Sequence, residues 1–235
     1  MKPILFNTKM VRAILDGRKT ATRRVLKNQD ENAFYADSCE DEDYGCVNLI
    51  CENADGTKYV LYNKAPYQPG DILYVRETFF EFRGKYYYKA DGKHLGLNAL
   101  IGNKEFFKWR PSIHMPKEAA RLFLRVTGVR VERLQNIQER GTGSAQQEGF
   151  INDINLNDGT GKSATKYFAD VWDDCYASPQ PVRENGKIVR YESYPWEDIR
   201  ETRTYRGLPW LVIGNPWIWV VEFERISKEE ALKNE

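Results

Sequence analysis

Ile14-Leu15-Asp16-Gly17-Arg18-Lys19-Thr20-Ala21-Thr22-Arg23-Arg24 packs four cations and two hydroxyls into its last eight positions. Upstream, Met10, Val11, Ile14 and Leu15 fall at i, i+1, i+4 and i+5, the apolar stripe of a short amphipathic helix that Thr8 is placed to N-cap. Gly17 stands where a left-handed cap ends such a helix, so Arg18 and Lys19 fall in the bend that leaves it. A bend of this kind offers oriented donors and positive charge to an anionic or carbonyl-rich ligand. A solvated basic turn has the same composition. If residues 19–22 run as a regular strand, Thr20, Thr22 and Arg24 share one face and Lys19 points away.

The rest of the chain bounds what this stretch can serve. Its 235 residues suffice for a sizeable core in one large or two small domains. The formal net charge is only +1, so no global field draws the protein to nucleic acid or membrane, and any such contact has to come from local basic patches. The apolar runs Leu211–Ile213 and Trp217–Val221 are far short of a membrane span. The first residues show no apolar signal-peptide region, so the expected location is cytoplasmic. Four cysteines stand at 39, 46, 51 and 175, with spacings that match no zinc pattern, beside only two histidines, His94 and His114. They read as free thiols, with no metal and no other cofactor expected.

Outward from the basic stretch, residues 28–64 are polar and acidic, with an Asp55-Gly56 turn between short strands. Pro69-Gly70-Asp71 is a turn that opens a buried strand from Ile72 to Val75, leading to Arg76 and Glu77. Phe79–Phe82 and Tyr86–Lys89 read as a hairpin about Arg83-Gly84. Two prolines and a tryptophan in residues 108–116 argue for a fixed, irregular path. Leu122, Leu124 and Val126 mark one face of a strand to Arg133 with a bulge at Gly128, and residues 144–149 suggest a short helix. Residues 163–176 form a second amphipathic helix carrying Tyr167, Phe168, Val171 and Trp172. Asn185-Gly186 is a hairpin turn within a long, Arg- and aromatic-rich excursion over 177–215, and Trp217–Glu224 is a closing strand. Short strands without a βαβ rhythm exclude a Rossmann-type sheet and predict an α+β fold, a small mixed barrel with helices packed on it.

Four blocks in this order resemble the ASCH domain of the PUA-like superfamily, and more narrowly the longer ASCH proteins encoded by phages and prophages. They are residues 14–24, Pro69-Gly70-Asp71-Ile72-Leu73-Tyr74-Val75-Arg76-Glu77, Trp109-Arg110-Pro111-Ser112-Ile113-His114-Met115-Pro116, and the strand from Trp217 to Ile226. The resemblance implies one PUA-like domain over residues 1–235, a small mixed β-barrel with flanking helices and insertions at about 28–64 and 177–215. It implies a cleft that binds nucleic acid, RNA above DNA, or a small modified nucleoside. For a phage-encoded protein it implies the cytoplasm of a bacterial host. A short bacterial branch of the family hydrolyses N4-acetylcytidine with a Lys, a Thr three residues later and a distant Glu. By resemblance these fall on Lys19, Thr22 and Glu148, although the run from Gln138 to Gly143 departs from the family's acidic pattern.

As chemistry, amide hydrolysis needs a nucleophile, a base and an acid for the leaving amine. Thr22 as nucleophile requires a neutral Lys19, whose free value near ~10.4 has to fall toward ~7–8. Arg18, Arg23 and Arg24 push it that way as like charges, and Glu148 in an apolar pocket is the candidate acid. Arg18, Thr20, Arg23 and Arg24 are candidate substrate contacts. Arg76 and Glu77 read either as a base-edge reader, the carboxylate accepting from a cytosine amino group, or as a structural ion pair. Trp109 and Arg110 read as a stacking and phosphate pair or as a packing anchor, and His114 as a site residue or a structural one. Arg200, Arg203 and Arg206 with Tyr205 and Trp210 read as a nucleic-acid-facing flap or a solvated loop. The competing functions are a nucleoside amidohydrolase, a non-catalytic RNA- or DNA-binding module, and a protein-interaction scaffold of a phage system.

Overall fold

A computed structural model of the chain describes all residues except 31, 39–45, 93–107, 140–141, 152, 155–160 and 234–235. Strand β1 (Lys2–Leu5) leads to helix α1 (Thr8–Leu15) and strand β2 (Ala21–Val25). Strands β3 (Ala33–Ser38), β4 (Cys46–Glu52), β5 (Lys58–Lys64), β6 (Ile72–Arg76), β7 (Phe79–Phe82), β8 (Lys85–Tyr88) and β9 (Phe123–Arg133) follow. Then come helices α2 (Asn136–Glu139) and α3 (Thr142–Gln147), the short strands β10 (Asp153–Ile154) and β11 (Gly161–Lys162), and helix α4 (Ala164–Tyr176). Strands β12 (Gln180–Glu184), β13 (Lys187–Ser193), β14 (Arg200–Tyr205), β15 (Leu208–Ile213) and β16 (Trp217–Ile226) precede the last helix, α5 (Lys228–Lys233). Contacts divide the chain into two compact units, and the chain of β9 and of β16 runs through both.

The first unit comprises Met1–Thr20, Pro69–Thr127 and Glu222–Glu235. Here β1 pairs in parallel with β6, and β6 pairs antiparallel with the start of β9. Leu122, Leu124 and Val126 are all buried, as their alternation predicts, and Phe123 between them is buried too, so this strand is covered on both faces. Ile72, Phe79, Met115, Ala119, Ala120, Phe123, Ile226 and Ala231 form one core cluster. Helix α1 is capped by Asn7, whose side chain accepts from the Met10 amide, one residue before the expected Thr8. Both residues are good caps. Asn7 has the extended backbone a cap requires, while Thr8 is already helical. Gly17 takes the left-handed conformation expected of it, φ 73°, and the Arg18 and Lys19 amides both donate to the Ala13 carbonyl, closing the helix end.

The second unit comprises Ala21–Gln68 and Gly128–Val221. Alternation along β16 feeds two cores on opposite faces of its sheet. Ile218 and Val220 join Ala21, Leu134, Ile137, Ala145, Ala164, Phe168 and Trp172 on one face. Trp219 joins Leu26, Val47, Leu49 and Cys51 on the other, flanked by Val129, Val131 and Trp217. Ser163 caps α4 by accepting from the Lys166 amide, and Phe168 and Trp172 are buried on its apolar side.

Several expectations are corrected. Among the described residues no sheet closes into a barrel; the architecture is α+β with separate open sheets. The two stretches read as excursions are built sheets: β3-β4-β5 within 28–64, and β12-β13-β15-β14 within 177–215. Each contains the turn expected of it, at Asp55-Gly56 and Asn185-Gly186, within a larger sheet. Cys46 is disulfide-bonded rather than free, whereas Cys51 and Cys175 are free thiols. Cys39 and His94 lie outside the described residues.

Candidate functional site

In the second unit the strand order β9-β16-β2 leaves one strand between β2 and β9, a gap of about 10 Å that two long side chains can span. Ala21 and Val25 pack into the Phe168 cluster, so Arg23, between them on β2, faces the same way. On β9, Val129 and Val131 belong to the opposite core, which sends Arg130 and Glu132 to the Arg23 face. Glu148 follows α3 directly and descends onto that face.

The result is a buried ionic chain. Arg23 Nη2 donates to Glu132 Oε1 at 3.1 Å and Arg23 Nη1 to Glu148 Oε1 at 3.2 Å, with all three side chains at most 3% exposed. Arg130 Nε approaches the second Glu132 oxygen at 3.4 Å. The Arg23 guanidinium also lies over the Phe168 ring, 5.8 Å from its centroid. Phe168 in turn packs against Phe150, Trp172 and Trp196, with ring centroids 5.9 Å apart in each case. Fixed hydrogen-bonding groups are thus held beside a cluster of aromatic rings.

Thr22 is buried but belongs to the other face of β2, the side of Leu26. The structure therefore joins Glu148 to Arg23 and does not bring Thr22 to the same face. Arg24 is half-buried.

The remaining expected site residues belong to the first unit. Lys19 is 2% exposed, with Nζ 5.4 Å from the centroid of Phe6. Arg18 is exposed and pairs with Asp16 at 2.7 Å; Thr20 is exposed, and its carbonyl accepts from the Phe223 amide. Arg76 donates through Nε to the Met115 carbonyl at 2.9 Å and through Nη2 to that of Ile113, so it fastens the 113–115 turn. Glu77 is buried and takes a two-pronged hold from Arg121, 2.8 and 3.1 Å, and Arg121 extends to Asp91 at 2.7 Å. Burial pushes the Glu77 carboxyl above the usual range, against the pull of Arg121. Glu77 is therefore paired with Arg121 and not with its neighbour Arg76. Arg110 exchanges backbone hydrogen bonds with Phe79 and lies over its ring at 5.1 Å, while Trp109 is half-buried. His114 is exposed in the short helical turn Ser112–His114.

Two partners escaped the sequence reading. Glu132 sits inside an ordinary strand pattern, and its only signal is a charge at a position whose alternation points inward. Arg121 precedes an apolar strand and looks like a solvated flank. Among the described residues no three of His, Cys, Asp and Glu gather as a metal would require, and no helix is long and apolar enough to cross a membrane. Comparison of the chain with protein-family models, with curated proteins and with solved structures finds no match.

Proposed function

We propose that this protein recognises a nucleobase, as a free or modified nucleoside or within nucleic acid, through the Arg23–Glu132–Glu148 network of its second unit. The observation that carries this reading is the burial of one guanidinium between two carboxylates beside Phe168. Such an ionic cluster is a poor way to gain stability, because desolvation cancels most of the attraction and apolar residues of similar volume do as well or better. It is a good way to hold hydrogen-bonding groups still for a ligand. A carboxylate accepts from an exocyclic amino group of the cytosine type, and a guanidinium donates to a ring nitrogen or carbonyl. Aromatic rings such as those around Phe168 favour a planar heterocycle. The ASCH resemblance points to the same ligand class.

The hydrolytic extension of this reading makes Lys19 the base, Thr22 the nucleophile and Glu148 the acid. The hold of Arg23 on Glu148, on the face of β2 away from Thr22, favours binding over hydrolysis. One experiment reads both. Calorimetric titration with cytidine, N4-acetylcytidine and uridine is followed by chromatography of the same samples for acetyl loss, with Glu148→Gln and Lys19→Ala in parallel. Binding of the cytidines, weakened about tenfold or more by Glu148→Gln, is the expected result. Absence of binding to every nucleoside at millimolar concentration would sink the reading. Acetyl loss that depends on Lys19 would establish the enzyme.

A further inference from the structure

Three hairpins among the described residues turn on two successive residues with positive φ: Arg83-Gly84 (51° and 73°), Asn185-Gly186 (50° and 79°) and Arg206-Gly207 (51° and 77°). This turn matches the twist of the strands it joins, and its first position suits Asn, Asp or Gly. Asn185 fits that preference. Arg83 and Arg206 do not, and asparagine at either place would hold the same turn with less backbone strain. The two arginines also share a local geometry. Arg83 Cζ lies 5.1 Å from the Phe82 ring centroid, and Arg206 Cζ lies 5.3 Å from that of Tyr205. Neither pairs with a carboxylate among the described residues. A strained backbone that holds an exposed cation over a ring does nothing for the fold that a simpler residue would not do better.

Around Arg206 the four-stranded sheet supplies a larger surface of the same kind. Arg203 stands opposite Trp210 in the β14–β15 pairing, and Tyr191 stands beside Trp210 in the parallel β13–β15 pairing, so the three share one row on one face. Tyr205 is next on that face, with its ring 4.9 Å from Tyr191 and 6.1 Å from Trp210, both edge-on. The Arg203 guanidinium lies 5.1 Å over Trp210, while also pairing with Glu201 on its own strand. Trp210 Nε1 donates to Ser193 Oγ at 2.9 Å, which fixes the indole. Because β13 and β15 run parallel, the Asn185 and Arg206 turns lie at the same end of the sheet, and exposed Lys187 adds a third cation there.

We propose that this face of the four-stranded sheet binds single-stranded nucleic acid, with bases stacking on Tyr205 and Trp210 and phosphates held by Arg203, Arg206 and Lys187. Alternating rings and guanidinium groups supply a π-face for each base and a cation for each linkage, the two requirements of sequence-tolerant single-strand binding. An acidic peptide would meet the cations and leave the rings without partners. A duplex hides its bases and offers the rings nothing to stack on. This surface is separate from the Arg23 network and does not depend on it.

The test is fluorescence anisotropy with labelled oligo-U and oligo-dT of about 15 nucleotides, and a duplex of the same length, at about 50 and about 200 mM salt. Both single strands are expected to bind more tightly than the duplex. A preference of oligo-U over oligo-dT marks contacts to the 2′-hydroxyl, and equal binding marks stacking and phosphate alone; both sustain the proposal. Arg206→Asn is the decisive variant, because it keeps the turn. Its thermal midpoint is expected to equal or exceed that of the wild type, while single-strand affinity falls and the salt slope flattens by about 0.7 per lost phosphate contact. Arg203→Gln combined with Arg206→Asn is expected to deepen both effects. Unchanged affinity and slope in the double variant, absence of wild-type binding at the lower salt, or preference for the duplex would each overturn the proposal. Oligo-dT carries no exocyclic amino group, so Glu148→Gln is expected to leave its affinity intact, and Arg206→Asn to leave cytidine binding intact. Failure of one site is thereby told apart from failure of the other.

Discussion

Arg23 sits where a charge is costly, between two carboxylates and over a ring, in the interior of the second unit. Truncation by Arg23→Ala strands both carboxylates and is expected to cost about 3–5 kcal/mol in urea-unfolding experiments. Replacing the whole set, Arg23→Met with Glu132→Leu and Glu148→Leu, is expected to restore stability to near wild type or above while abolishing cytidine binding. A triple variant as unstable as Arg23→Ala alone would mean that the cluster serves the fold. Glu77 offers a second test at this scale. Burial raises its carboxyl in the folded chain, so the native state holds that proton more firmly than the unfolded one. Its contribution to stability is therefore fullest below the ordinary carboxyl value and is lost as pH rises through the raised folded value. Against Glu77→Gln, which does not titrate, the wild type is expected to lose ground in urea melts from about pH 4 upward. A difference that grows in favour of the wild type over the same range would show that Arg121 outweighs burial.

Elements set the constraints on single glycines and cysteines. Gly207 lies at φ 77° with nothing near the place of a side chain, so Gly207→Ala carries only a backbone penalty, about 1 kcal/mol. Gly214 is a different case: a Cβ there would stand 2.0 Å from the Glu197 carbonyl oxygen and 2.4 Å from the Ile199 amide nitrogen. Both obstacles are backbone, so Gly214→Ala is expected to lower the thermal midpoint well beyond Gly207→Ala, through displacement of the 197–199 turn from β15. Cys51 is enclosed by β3, β4 and β5, and burial with nearby Asp30 pushes its thiol up to about 11. Cys175 is exposed on α4. Of these two thiols, an aromatic disulfide reagent at about pH 8 is expected to modify Cys175 in the native protein and Cys51 only after unfolding. Helices and hairpins were the legible elements, since Gly17, Ser163, Asn185-Gly186 and the 3.6-residue stripes act locally. The β3–β5 and β12–β15 sheets as wholes were not, beyond the turns at Asp55-Gly56 and Asn185-Gly186, because the order of a sheet depends on partners remote in sequence. The site was half legible for the same reason. The cations of residues 17–24 stand out, but that Arg23 turns inward depends on which face of β2 each core covers, whereas Arg18 lies outside β2 in the bend after α1 and is exposed.

At the scale of the whole molecule, the formal charge of +1 leaves little long-range attraction, so binding to polyanions rests on local surfaces such as that around Arg206. The expected barrel gives way to open sheets, and two compact units share the chain of β9 and β16. Strand β16 supplies Ile218 and Val220 to one core, Trp219 to a second and Ile226 to a third. Synthesis reaches this strand only after every other described member of these three cores except Ala231 has been joined. A nascent chain that has emerged as far as residue 216 carries three unsealed apolar surfaces at once, each missing the same strand. Chaperone occupancy is therefore expected to persist until residues 217–226 are available to fold, and a product stopped at residue 216 to be cleared or aggregated rather than half folded.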